Sequence, residues 1–166
     1  CKEILIVVSK EHRGTEFVAV DLNNEGNEIS TFRYSDVMTD NIRFADKVEP
    51  GYFLYEPNAS VMKLGCWKSL QEKFPGLLKL SANSHLFVSE SLIDNFPGRA
   101  MRIDKTVNKK DRKSLKGFPV NIVSRNYPIS ADELRKTLGA KEGDNMFLYA
   151  SRLGSSPLLI LCERLV

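Results

Sequence analysis

The chain has 166 residues, of which 42% are hydrophobic and 27% are charged. This balance is typical of a globular protein with a buried core, in one domain or in two small ones packed together. No apolar run reaches the roughly 18 residues of a membrane span, and the first residues lack a signal-peptide pattern. Its three cysteines, Cys1, Cys66 and Cys162, lie far apart, which argues against a zinc site or a disulfide framework and favours a reducing, cytoplasmic location.

The net charge of +3 hides an uneven distribution along the chain. Residues 1–56 carry six basic and eleven acidic side chains, whereas residues 99–136 carry eleven basic and four acidic ones. Clustered cations attract a polyanion through their long-range field and through counterion release. The basic segment therefore predicts contact with nucleic acid, although a solvated lysine-rich helix face is the alternative for its central part.

The first third of the sequence predicts β structure. EILIVV (3–8) is a continuous apolar run, TEFVAVDL (15–22) and EISTFRY (28–34) alternate, and turn residues occur at 13–14 and 23–27. We expect an antiparallel β meander within residues 1–49. Because the chain opens on Cys1 rather than on methionine, already inside a strand-like run, we also expect it to be a piece of a longer protein.

A change of period at Asn58 predicts a helix. Apolar residues then recur every three or four positions as far as Phe74, which indicates one amphipathic helix of roughly four turns before Pro75. Asn58 is a suitable N-cap, and Pro57 keeps Glu56 extended. We therefore expect Asn58 to start the helix and Glu56 to orient an arginine, for which Arg99 is the candidate.

The remainder alternates between strand and helix signals. A strand and a turn are expected in 77–89, a short helix capped by Ser89 up to Asn95, a strand at 98–104, a short basic helix at 108–117 and a strand at 119–127. Ser130 and Glu133 form a capping-box pattern, and a hairpin is expected from 145 to 165. The predicted class is α+β, with a strand–helix–strand–strand unit at the C-terminus.

Catalytic and metal-binding patterns are absent from the sequence, since His12 and His85 lie in no ligand spacing and no nucleotide-binding glycine motif occurs. The candidate phosphate-binding residues are cations from the basic segment, and Tyr127 is a candidate for stacking on an unpaired base. The alternative is that Tyr127 packs in the core and that the arginines pair with Asp104, Asp132 or Glu133. The predicted phosphate-binding set is Arg99, Arg102, Lys109, Lys110, Arg112, Lys113 and Arg125.

Four stretches of the sequence together resemble a known family: FLYEPNASVMKLGCW (53–67), NSHLFVSESL (83–92), FPGR (96–99) and NIVSRNYPISADELRKTLG (121–139). They are similar to the C-terminal region of a Bacteroidetes family of class I SAM-dependent methyltransferase-like proteins. The resemblance implies a ferredoxin-like segment at 50–119 and a THUMP-like domain, of βαββ form, at 120–166, both following a methyltransferase domain that lies outside this chain.

What the resemblance implies for function is RNA binding. THUMP domains generally help RNA-modifying enzymes to bind and position structured RNA, notably tRNA. The expected partners are therefore structured RNA and the protein's own methyltransferase domain, and S-adenosylmethionine is expected to bind in that domain, with no cofactor in this chain. The alternative is a structural module that packs on the methyltransferase domain, or dimerises, without contacting RNA.

Overall fold

The computed structural model describes residues 6, 8, 10–11, 16–35, 41–143 and 145–165. The predicted strand at 3–8 falls largely outside these residues, and its described members, Ile6 and Val8, lie in no strand. The turn predicted at 13–14 also lies outside them, as does His12. The other two strands of the predicted meander form a hairpin of β1 (Glu16–Leu22) and β2 (Glu28–Ser35).

A seven-stranded sheet forms the centre of the fold. Its strands follow the order β4-β5-β3-β6-β9-β8-β7. Every neighbouring pair is antiparallel except β7 and β8, which are parallel because a helix connects them. The α+β prediction is thereby confirmed. The bounds are β3 (Phe53–Pro57), β4 (Leu78–Lys79), β5 (Phe87–Ser89), β6 (Gly98–Thr106), β7 (Asn121–Ser124), β8 (Met146–Leu153) and β9 (Ser156–Arg164).

The predicted four-turn helix is wrong in one respect: it is two short helices, α1 (Ala59–Leu64) and α2 (Trp67–Lys73). Gly65 separates them at a φ of 66°, and its N–H donates to the Val61 carbonyl. This left-handed cap ends α1. The apolar period continues into α2, which is why the sequence pattern does not reveal the break.

Two further helix predictions need correction. Ser89 ends β5 rather than capping a helix, and residues 90–95 form bends and turns. The Ile93 N–H donates to the Tyr55 hydroxyl at 2.7 Å, which holds this segment against the sheet instead of in a helical turn. The predicted basic helix is a single 3₁₀ helix, Asp111–Leu115.

The C-terminal unit matches its prediction closely. Helix α3 (Ala131–Leu138) begins with the full capping box, in which Ser130 Oγ accepts from the Glu133 N–H and the Glu133 carboxylate accepts from the Ser130 N–H. These bonds lower the pKa of Glu133. Gly139 ends the helix at a φ of 63°. Strands β8 and β9 form the expected hairpin.

The two faces of the sheet are covered differently. Alternate residues of β8 separate them, since Leu148 and Ala150 pack in the cluster that includes helix α3, whereas Tyr149 packs against Ala45 and Leu80 from loop segments. We call these the helix-covered face and the loop-covered face. Helices α1 and α2 cover the helix-covered face near β3, where Tyr55 is buried.

The sheet curves around its loop-covered face. The segment between β4 and β5 reaches the β8–β9 hairpin, where the Gly154 N–H donates to the Leu80 carbonyl at 2.8 Å and the Ser84 and Ser151 hydroxyls lie 3.1 Å apart. The loop between β4 and β5 is thus in contact with β8 and with the turn that follows it. Among the described residues, no helix is long and apolar enough to cross a membrane.

Candidate nucleic-acid interface

Glu56 is a buried carboxylate that joins three strands. It lies near the end of β3 on the loop-covered face and is 7% exposed. Its Oε1 accepts from Arg125 Nε at 2.8 Å and Nη2 at 2.7 Å, while its Oε2 accepts from the Tyr149 hydroxyl at 3.2 Å. A buried charge is tolerated when it is paired and hydrogen-bonded in this way. Glu56 thus holds Arg125 against β3, and Arg99, the partner considered from the sequence, does not make this pair.

Tyr149, in β8, is the third group of this arrangement. It is fully buried. Burial, and then the negative charge of Glu56, raise the pKa of Tyr149 far above its ordinary value. The hydroxyl therefore stays protonated and donates a hydrogen bond to the Glu56 carboxylate. Sequence reasoning missed this residue, because its position in an apolar strand gives no sign that it has a carboxylate partner.

Arg99 lies beside Glu56 without pairing to it. The two residues stand opposite each other in the β3–β6 register and so share the loop-covered face. Arg99 is exposed, and within the described part of the chain it forms no ion pair. Gly98 precedes it because a Cβ there would meet the Glu56 carbonyl and Pro57. The guanidinium of Arg99 is therefore available at a rigid strand end.

A buried lysine holds the loop between β4 and β5 in place. Lys79 is 1% exposed, and its ammonium donates to the Ser81 and Ala82 carbonyls at 2.7 and 2.6 Å. Burial lowers the pKa of Lys79 to about 8. His85 follows in the same segment, and its ring lies 5.1 Å from that of Trp67. Burial, followed by the charges of Lys79 and Arg125, lowers its pKa, so His85 is neutral at pH 7.

Asn58 occupies the N-cap position of α1 but does not cap it with its side chain, which corrects the prediction. Its Nδ2 donates instead to Ser30 Oγ in β2 at 3.2 Å. Ser30 and Ser60 both donate to the Asp21 carboxylate, at 2.9 and 2.7 Å. Asn58 therefore helps to attach the β1–β2 hairpin to α1, and its amide is no longer oriented toward the first helical N–H groups.

The seven predicted phosphate-binding residues are divided between the two faces. Arg99 and Arg102 are three positions apart on β6, so they project to opposite faces. Arg125 shares the loop-covered side with Arg99. Arg102 shares the other side with the 3₁₀ helix, whose Leu115 packs in the core on the helix-covered face. That side carries the larger group, namely Arg102, Lys109, Lys110, Arg112 and Lys113.

The turn leading into the 3₁₀ helix presents its cations without acidic partners. Asn108 Oδ1 accepts from the N–H groups of Lys110 and Asp111, which fixes the turn. Lys109, Lys110 and Lys113 are exposed. Ion pairs occur elsewhere in the described part of the chain, and none involves these lysines. Exposed lysines without ion pairs are also what the stated alternative for this part of the chain, a solvated lysine-rich face, predicts.

Arg112 and Tyr127 form the side of a cleft. Arg112 Nη2 donates to the Tyr127 hydroxyl at 3.4 Å, and Arg112 Nε is buried with no hydrogen-bond partner among the described residues. Tyr127 is half-buried and packs against the core below α3. The cleft has a volume of about 540 Å³, and we call it the Tyr127 cleft. Its lining comprises Val107, Asn108, Lys109, Arg112, Tyr127, Pro128, Ile129 and Pro157.

A second cleft shares Tyr127, Pro128 and Ile129 with the Tyr127 cleft. It has a volume of about 610 Å³ and is lined in part by Arg125, Tyr127 and Ser130. Neither cleft contains a cluster of metal ligands, since the described residues include no group of three or more His, Cys, Asp or Glu side chains that could hold a metal. Both clefts combine arginine, tyrosine and apolar side chains.

Comparison with known proteins identifies two domains in this chain. Residues 53–97 match a ferredoxin-like domain, and residues 98–164 match a family described as THUMP domain-like. A crystal structure of a provisionally assigned methyltransferase from Porphyromonas gingivalis W83 superposes with a TM-score of 0.77 at 25% identity. The match covers 91% of this chain but only 38% of that one. No curated protein matches the sequence.

Proposed function

Because the chain contains a ferredoxin-like domain followed by a THUMP-like domain, we propose that it is an RNA-binding module that positions structured RNA, with tRNA as the first candidate, for a SAM-dependent methyltransferase. THUMP domains generally bind RNA, and the similar crystal structure is assigned provisionally as a methyltransferase. Methyl transfer is proposed for a part of the protein outside this chain.

The observation that carries the proposal is the set of unpaired cations around the 3₁₀ helix. Lys109, Lys110 and Lys113 are exposed and have no carboxylate partner in the described part of the chain. Lysines that are not neutralised internally can exchange their counterions for phosphates, which is the main source of sequence-independent affinity. Contacts of this kind fix the orientation of the RNA rather than read its sequence.

Binding of S-adenosylmethionine is likewise proposed for the part outside this chain. Among the described glycines, Gly98 and Gly143 are the ones at which a Cβ would collide with main chain, and the atoms in the way belong to Glu56, Pro57, Pro119 and Val120. These glycines serve the chain's own packing. The cysteines Cys66 and Cys162 are free and buried, which supports the proposal of a cytoplasmic location.

Titration with tRNA at two salt concentrations tests the proposal. We expect binding at low salt and a log–log slope of about −0.9 for each duplex phosphate that is contacted. The pair of substitutions Lys109→Gln and Lys110→Gln should weaken binding to every RNA and flatten the slope. The matched control is Lys68→Gln with Lys73→Gln on α2, which removes the same charge elsewhere. Absence of binding at low salt, or binding that does not respond to salt, would show that the proposal is wrong.

A second function is favoured by the outer side of the β1–β2 hairpin. Val20, Leu22 and Ile29 are 40%, 57% and 65% exposed there. Exposed apolar side chains that lie together commonly mark an interface. The hairpin would then pack on the rest of a longer protein or on a second copy. Concentration-dependent association in sedimentation, abolished by Leu22→Gln with Ile29→Gln while RNA binding is unchanged, would support this second role.

A further inference from the structure

The Tyr127 cleft is the feature that a general affinity for phosphates leaves unexplained. Its walls are apolar, with Val107, Ile129 and Pro157 among the lining residues, and its rim carries Lys109 and Arg112. Its volume of about 540 Å³ lies within the range of small-molecule sites, about 300–1,000 Å³. A surface that bound only phosphates would need the cations but would not need this apolar recess.

We propose that the Tyr127 cleft binds one unpaired nucleotide of RNA, with the base against Tyr127 and the apolar wall and the phosphate on Arg112 and Lys109. The inference rests on the proposed function, because it assigns the element of RNA that the module holds. A nucleotide in a duplex cannot use the cleft, since its base faces are covered by stacking and only its phosphates are presented. An unpaired base exposes both faces, and aromatic side chains bind them.

The state of Arg112 supports this assignment. Its one hydrogen bond is the long contact with the Tyr127 hydroxyl, its Nε has no partner, and no carboxylate pairs with it in the described part of the chain. A guanidinium that is partly buried without a carboxylate is costly. Phosphate oxygens at the mouth of the cleft would supply the missing acceptors in a charge-assisted contact. The same contact keeps Arg112 beside the tyrosine ring.

The charge around the cleft also favours a nucleotide over an apolar peptide as its ligand. Lys109 and Arg112 border the cleft, and Lys110 and Lys113 flank them in sequence. Among the described residues that line the cleft none is acidic, and Asp111, the nearest acidic residue in sequence, is outnumbered by these four cations. The potential at the rim is therefore positive, which favours a ligand that joins an apolar surface to an anion. A nucleotide has this composition.

The test compares two fluorescently labelled RNA probes that share one stem. The first is a blunt duplex of twelve base pairs annealed from two strands, which has no unpaired loop, and the second is the same duplex with a single-stranded tail of four uridines on one strand, where the lengths are roughly one turn of duplex and one short site. We expect the tailed probe to bind about fivefold to 150-fold more tightly, the range that stacking of one base supplies. Equal affinity for both probes would overturn the inference.

Substitutions then show which residues produce the preference for the tailed probe. Tyr127→Leu should bring the affinity for the tailed probe close to that for the blunt probe, whereas Tyr127→Phe, which keeps the ring, should retain most of the difference. Arg112→Gln should weaken the tailed probe more than the blunt one. The matched control is Lys136→Gln, an exposed lysine on α3 that does not line the cleft, which should change both affinities equally. A folded Tyr127→Leu variant that keeps the full preference would refute the proposal.

A measurement on the unsubstituted chain covers the case in which Tyr127→Leu does not fold. A tail that contains 5-bromouridine is crosslinked by light, and the attached peptide is identified by mass spectrometry. We expect attachment within 107–112 or 127–129, and attachment elsewhere would contradict the inference. The proposed function fails separately: if neither probe binds at low salt, RNA binding itself is wrong, whereas salt-sensitive binding without preference for the tail refutes only the nucleotide cleft.

Discussion

Glu56 offers the most direct test of the structure, because three strands depend on its carboxylate. Substitution Glu56→Ala removes the acceptor of the buried Tyr149 hydroxyl, which is 0% exposed, and leaves Arg125 without its ion pair. A buried hydroxyl without a partner costs about 1–3 kcal/mol. The Arg125 side chain is 44% exposed and can be rehydrated, so its loss adds only about 0.5–1 kcal/mol. We expect a total destabilisation of about 2–3 kcal/mol.

Urea unfolding followed by tryptophan fluorescence measures this change. Trp67 is the single tryptophan, and because its ring lies 5.1 and 5.7 Å from those of His85 and Phe87, its fluorescence reports unfolding of the core against which α2 packs. For a chain of this length the loss corresponds to a fall of Tm of about 5–10 °C. The matched control is Glu56→Gln, whose amide oxygen can accept from Arg125 while its amide N–H donates to the tyrosine oxygen. It should cost about 1 kcal/mol or less.

A double-mutant cycle separates the hydrogen bond from general packing. Tyr149→Phe in the wild-type background removes one bond and should cost about 0.5–1.5 kcal/mol. In the Glu56→Ala background it should cost less, because it then removes an unsatisfied hydroxyl. We expect a coupling energy of about 1 kcal/mol. Glu56→Ala within about 0.5 kcal/mol of wild type, or strictly additive substitutions, would refute the reasoning.

Three further substitutions test other parts of the fold. Gln71→Leu should lower the free energy of unfolding, measured in urea, by about 2–3 kcal/mol, because the buried Gln71 amide hydrogen-bonds both the N–H and the carbonyl of Arg43. If hydrogen exchange of the Arg43 amide did not increase, this expectation would be contradicted. Gly98→Ala should cost at least about 1–3 kcal/mol, since its Cβ would meet main chain, whereas Gly76→Ala, which meets only a serine hydroxyl, should be nearly neutral. Burial lowers the pKa of Lys79 from 10.5 to about 8, so the folded state releases this proton first. The free energy of unfolding should therefore rise between about pH 8 and 10.5, and Lys79→Met, compared by urea midpoints, should show no such rise.

Local patterns of the sequence predicted local structure well. Both residues that form the capping-box hydrogen bonds, Ser130 and Glu133, can be recognised in the sequence, so the start of α3 could be placed from four residues. Alternation of apolar residues likewise located β1 and β2, and two strand-like runs joined by a turn at 154–156 located the β8–β9 hairpin. The break at Gly65 was missed because an apolar period survives one left-handed residue when the next helix resumes in phase. A glycine within a periodic segment is compatible with either outcome.

The candidate site could not be predicted in the same way, because it depends on strand order and curvature. Glu56 and Arg125 are 69 positions apart, and Glu56 and Tyr149 are 93 apart. The sequence indicated that Glu56 needs an arginine, but several arginines satisfied that requirement. Arg125 reaches Glu56 only through the order β3-β6-β9-β8-β7 and the bending of the sheet over its loop-covered face, whereas Arg99 lies opposite Glu56 and forms no ion pair with it. Alternation along β6 places Arg99 and Arg102 on opposite faces, although both belong to the one phosphate-binding set predicted from the sequence.

The position of Glu56 also bears on how the two domains act together. Glu56 lies in the ferredoxin-like match, whereas Arg125 and Tyr149 lie in the THUMP-like match. Strand β3 of the first domain pairs with β6 of the second over five residues, so one sheet runs through both. A hinge between the domains would have to break this ladder and leave the Glu56 carboxylate buried without its partners. RNA held beside the 3₁₀ helix would therefore keep a fixed orientation relative to helices α1 and α2, and a module that positions a substrate requires this rigidity.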